Sequence, residues 1–164
     1  LPATSGEIAV NLAPGQDSAG SIMTTIQRLA LLYAALFAFV VGIGYVPGLK
    51  DDQGYLFGLF SLQWWDDLLH GFSGLWALAA AFISARASRL YFRLFGSVYL
   101  FDGVLGLITG QGCLDAGIFL NGPDAIIGIS DIDAPARFFA NLPHLLIGGF
   151  AVWAGFGAPG RQAA

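Results

Sequence analysis

The chain has 164 residues, 56% of them hydrophobic and 11% charged, with a mean hydropathy of +0.69 and a formal net charge of -4. Ordinary soluble domains carry roughly 25% charged residues, so this composition excludes that class and places the chain with membrane proteins. The basic residues form no clustered face, which excludes a nucleic-acid footprint, and the single cysteine, Cys113, excludes an internal disulfide and a cysteine-only metal cage.

Residues 1–22 are rich in Gly, Ala, Ser and Pro without sustained periodicity and read as a disordered tail. The only methionine, Met23, immediately precedes the first apolar run and is the expected biological start, which would make that tail non-native. A helix needs about 20 apolar residues to cross a bilayer, and four segments qualify: 26–46, 64–84, 90–110 and 138–158. The first is too long for the core of a secretory signal and lacks a small-x-small cleavage site before Pro47, so it reads as a retained helix. The connection 111–137 is long, and its short apolar piece 125–129 is expected to re-enter or lie on the surface and cap the bundle.

Arg28, Arg86, Arg89, Arg93 and Arg161 fall on one side of these crossings, and only Lys50 and Arg137 on the other. The positive-inside rule therefore predicts cytoplasmic N- and C-termini. Trp64, Trp65, Tyr45 and Tyr55 fall near the outer boundary, where amphipathic rings sit well.

The two histidines occupy equivalent places in one repeated pattern, WWDDLLHGFSGLW from Trp64 and FFANLPHLLIGGF from Phe138. Aligned on His70 and His144, both copies carry an aromatic pair, then Asp67 or Asn141 three residues before the histidine and Gly74 or Gly148 four residues after it. A 64-residue shift extends the likeness to the odd-numbered helices, setting Phe37 on Phe101 and Gly42 on Gly106. The expected fold is an all-α, four-transmembrane-helix bundle of two repeated helical hairpins, related as a parallel repeat. Each histidine shares a face with small residues that permit close helix packing, so both are expected to point inward. Asp102 lies within helix 3 opposite Ala38, outside the repeat; a carboxylate at that depth costs roughly 2.5 kcal/mol or more and needs a partner or water.

Several readings of His70, His144, Asp102, Asn141 and Asp67 are open. They form an interhelical hydrogen-bond set, with Gly74, Gly148 and Gly106 as packing positions. Alternatively, His70 and His144 ligate a haem or pigment, with Gly74 and Gly148 leaving room for the macrocycle. A zinc or copper site from His70, His144 and Asp102 is chemically acceptable, and Asp102 could serve ion or solute conduction in an oligomer. No nucleophile-base set, phosphate loop or dense metal motif is present, so no enzymatic activity and no cofactor are expected. The leading class is a structural or accessory membrane component, partnered by the bilayer and by copies of itself or a larger membrane complex.

GLFSLQWWDDLLHGFSGLWAL, YFRLFGSVYLFDGVLGLITG and NLPHLLIGGF together resemble a family of small bacterial four-helix membrane proteins known only as a domain of unknown function. The likeness runs from Thr25 to Gly157, with His70 and Gly74, then His144 and Gly148, as its most specific part. It implies a bacterial cytoplasmic-membrane location and a four-helix architecture, and brings no catalytic residues.

Overall fold

A computed structural model describes residues 23–58, 60–61, 63–110, 112–114 and 133–157. The expected tail 1–22 and the apolar piece 125–129 lie outside the described residues. Among the described residues four helices form: α1 (Thr25–Ile43), α2 (Trp64–Ile83), α3 (Ala85–Thr109) and α4 (Ala134–Val152), the last continued by a π-helical turn over Trp153–Gly157. Between α1 and α2, β1 (Tyr55–Leu56) and β2 (Phe60–Ser61) make a small antiparallel hairpin, with Leu56 opposite Phe60. Strands of two residues are too short to show an alternating pattern in sequence.

Local chemistry sets the helix starts. The backbone N–H of Thr24 donates to Gln27 Oε1 at 3.0 Å, and that of Gln63 to Asp66 Oδ2 at 2.8 Å. Asp66 and Asp67 also favour the positive end of the α2 dipole. Ser84 takes extended backbone and its hydroxyl accepts the Ala87 N–H, so α3 begins at Ala85. That single capping residue is the whole turn between α2 and α3, and it draws Arg86, Arg89 and Arg93 into the helix. Gly110 closes α3 at a φ of +79°, a left-handed position suited to glycine. Asp133 caps α4 by accepting the Ala136 N–H. The π turn widens the helix end, where Arg93 Nε donates to the Gly155 carbonyl at 2.9 Å.

The helices α1, α3 and α4 with its π turn are long and apolar enough to cross a membrane. Asp66, Asp67 and His70 dilute the apolar run of α2. Large apolar side chains cover the outside, with Leu75, Phe101 and Leu146 all more than 60% exposed, while Ser73, Ser88, Asp102 and Asn141 are buried.

α1 packs chiefly on α2, and α3 on α4. Rings from α1 and α3 fill the centre: Tyr33 meets Phe92 and Phe95 edge-on, and Phe37 does the same with Phe95 and Tyr99. At one end of the bundle Gln27 Nε2 donates to the Ala81 carbonyl, joining the start of α1 to the end of α2. At the other, Tyr45 Oη donates to Asp67, and Arg137 Nη1 to the Ile108 carbonyl.

The buried positions do not follow the 64-residue register. Ile26, Ala30, Tyr33 and Phe37 are buried in α1, and Ser88, Phe92, Phe95 and Tyr99 are buried in α3 at the same spacing, 62 residues on. The longer shift pairs buried Phe37 with exposed Phe101. It also pairs Gly42, which faces open space, with Gly106, which faces Asn141. Two residues turn a helix by about 200°, so the longer shift compares opposite faces.

Candidate functional site

Asp102 is a buried polar side chain with three hydrogen-bond partners. It is 1% exposed on the α3 surface facing α4, where the glycine at 103 lets α4 approach: a Cβ there would lie 3.0 Å from the Leu145 backbone nitrogen. Its Oδ2 lies 2.6 Å from His144 Nδ1. Its Oδ1 accepts the backbone N–H groups of Cys113 and Leu114 at 2.5 and 3.0 Å. Gly112 permits this closure, because a Cβ at that position would sit 3.0 Å from Oδ2. A segment leaving the end of α3 thus folds back over its carboxylate.

His144 stands edge-on to Tyr99, with ring centres 5.2 Å apart, and Tyr99 Oη lies 3.1 Å from Ser73 Oγ. A series of contacts therefore runs from α4 through α3 to α2, a ring contact at its first step and a hydrogen bond at its second. Tyr33 adds a tie from α1, its hydroxyl donating to the Ile147 carbonyl at 2.7 Å. His70 stacks on Phe37 with ring centres 5.8 Å apart, and its ring bonds the Asp66 backbone one turn back in α2. Both histidines line one cavity of about 240 Å³, walled by Phe37, Val40 and Tyr99 and roofed by Leu56, Phe57 and Phe60 of the hairpin.

The expected polar set is thus divided. His144 and Asp102 pair directly, and His70 faces the same cavity. Asn141 stands apart: its Nδ2 donates to the Arg137 carbonyl in its own helix, and its side chain presses on Gly106, where a Cβ would overlap it. Asp67 accepts the Tyr45 hydroxyl at 2.6 Å. That bond, with the carboxylate charge, holds the Tyr45 phenol above its ordinary pKa. Among the described residues no three His, Cys, Asp or Glu side chains are grouped to hold a metal, so the zinc or copper arrangement is not assembled.

The glycines correct the macrocycle reading. A Cβ at Gly74 would lie 3.0 Å from Phe37 Cβ, and one at Gly148 would lie 2.4 Å from the Leu100 nitrogen. The space beside each histidine motif is filled by the preceding helix of its own pair.

Sequence reasoning passed over Tyr99 and Gly112. Aromatic and small residues are abundant throughout the chain, so neither carries a distinguishing local signal.

Residues 27–127 match the family model described as Domain of unknown function (DUF4383). No curated protein and no solved structure matches the chain. The matched region includes His70, Gly74 and Asp102 and stops before α4, so His144 and Gly148 lie beyond it.

Proposed function

The chain belongs to the Domain of unknown function (DUF4383) family, and on that premise we propose that it is a multi-pass protein of the bacterial cytoplasmic membrane. In this reading it serves as a structural or accessory component, with no catalysis of its own. The observation that carries it is the inside-out distribution of polarity. Leu75, Phe101 and Leu146 face outward while Asp102, Asn141, Ser73 and Ser88 are enclosed, an arrangement matched to a lipid solvent.

All four helices cross, α2 included, because its acidic residues are confined to the first turn at one end. The bundle consists of two repeated hairpins, α1–α2 and α3–α4. The common burial spacing in α1 and α3 supports this, as do Gly74 and Gly148, each of which admits the preceding helix. Arg28, Arg86 and Arg89 gather at one end and Lys50 and Arg137 at the other, supporting cytoplasmic termini and an outward β-hairpin. Closure of Asp102 by His144 and two backbone amides favours a latch between α3 and α4 over a conduction site. The bilayer is the immediate partner, and the apolar exterior also suits copies of the chain or a larger membrane complex.

The test is a pair of reporter fusions in a bacterial host. Green fluorescent protein at the C-terminus should fluoresce, and alkaline phosphatase inserted between Asp52 and Gln53 should be active. The opposite pair of results, or release of the protein by alkaline carbonate, sinks the reading.

A further inference from the structure

We propose that the cavity beneath the β-hairpin binds a small single-ring phenol or quinol head group, whose hydroxyl donates a hydrogen bond to His144. This goes beyond the accessory-component reading, which assigns the cavity no ligand.

Size is the first constraint. A dry apolar cavity of about 150 Å³ accepts benzene, so about 240 Å³ accommodates one substituted ring. Drug-sized ligands occupy roughly 300–1,000 Å³, above the size of this cavity. Lining chemistry is the second. Phe37, Phe57 and Phe60 offer ring faces and edges, favouring an aromatic occupant over an aliphatic one.

The hydrogen-bonding requirement comes from Asp102. Its Oδ1 accepts two backbone N–H groups, as a carboxylate does, and Oδ2 accepts the proton on His144 Nδ1. When neutral, an imidazole protonated at Nδ1 carries its lone pair at Nε2, so the His144 ring, which lines the cavity, offers an acceptor. An acceptor in an apolar cavity selects a ligand that donates. The roof carries a backbone outlier as well: Phe57 lies at a φ of +56°, a left-handed conformation that bulky residues rarely take, and its side chain lines the cavity.

The full chain in mild detergent is titrated calorimetrically with 4-ethylphenol and with its methyl ether, 4-ethylanisole, which fills similar space and cannot donate. The phenol should bind at least tenfold more tightly. In Asp102→Asn the amide donates to Nδ1 and moves the imidazole proton to Nε2, so the preference should vanish or reverse while the anisole affinity holds or rises. His144→Phe, which keeps a ring and removes the acceptor, should bind both compounds equally. Equal affinities in the wild type, no binding of either compound, or an unchanged ratio in a folded Asp102→Asn or His144→Phe variant overturns the proposal. A reduced decyl-benzoquinol separates the sources: tighter binding than 4-ethylphenol assigns the site to a membrane quinol, and weaker binding assigns it to a free phenol.

Discussion

Asp102 holds three donors at once, so its removal strands more than one bond. Asp102→Ala leaves the Cys113 and Leu114 amides and His144 Nδ1 without their acceptor in a buried place. Each stranded group costs on the order of 1–3 kcal/mol, and an expected loss of about 3 kcal/mol allows for relaxation of the short segment. Ser73→Ala removes a single hydroxyl contact to Tyr99 and should cost about 0.6 kcal/mol, the usual size of one interhelical bond in a membrane protein. Equilibrium unfolding of the detergent-solubilised variants compares the two, and equal losses contradict the latch. The Asp102–His144 partnership is legible in the sequence, because a carboxylate within a long apolar helix demands a partner and few candidates exist. The amides of Cys113 and Leu114 are not legible: every residue except proline carries an N–H, and only the turn after Gly110 decides which of them points inward.

At the scale of helices, glycine decides how closely α3 and α4 approach. Gly148 sits where a Cβ would lie 2.4 Å from the Leu100 nitrogen, whereas Gly149, the next residue, faces open space. Gly148→Ala must move one helix backbone against another and should cost about 1–3 kcal/mol, in the range for overpacking. Gly149→Ala meets nothing and should stabilise by up to about 1 kcal/mol through better helix propensity. Thermal unfolding of the two variants reads the difference, and a loss in Gly149→Ala equal to that in Gly148→Ala removes the packing argument. The even helices show their likeness plainly because a histidine marks the register of each. The odd helices have no such marker, and runs of Phe, Val and Gly match at 64 residues almost as readily as at 62. Only burial distinguishes the two, since Phe101 turns outward where Tyr99 turns in. The α3 start is hidden for a related reason: arginines read as a turn, yet Ser84 alone makes the corner and Arg93 reaches the Gly155 carbonyl from inside the helix.

For the whole molecule, the decisive quantity is which surface meets lipid. Composition announces a membrane protein because charge is scarce and apolar runs are long, but composition does not say which face of each run is outside. Single cysteines introduced on a Cys113→Ser background test that assignment. Leu75→Cys, Phe101→Cys and Leu146→Cys replace residues that are 66%, 61% and 64% exposed, whereas Ala77→Cys and Ala151→Cys replace residues that are 0% exposed. In intact membranes a lipophilic maleimide should label the first three and spare the last two until the bundle is denatured. Labelling of Ala77→Cys or Ala151→Cys in the native state would mean that the small-residue faces of α2 and α4 are turned to lipid, and the packing of both pairs would have to be redrawn. Protection of Leu75→Cys, Phe101→Cys and Leu146→Cys together would instead mean that the apolar exterior is covered by protein. That pattern identifies an obligate oligomer, and crosslinking through the same three cysteines would then report which helices meet.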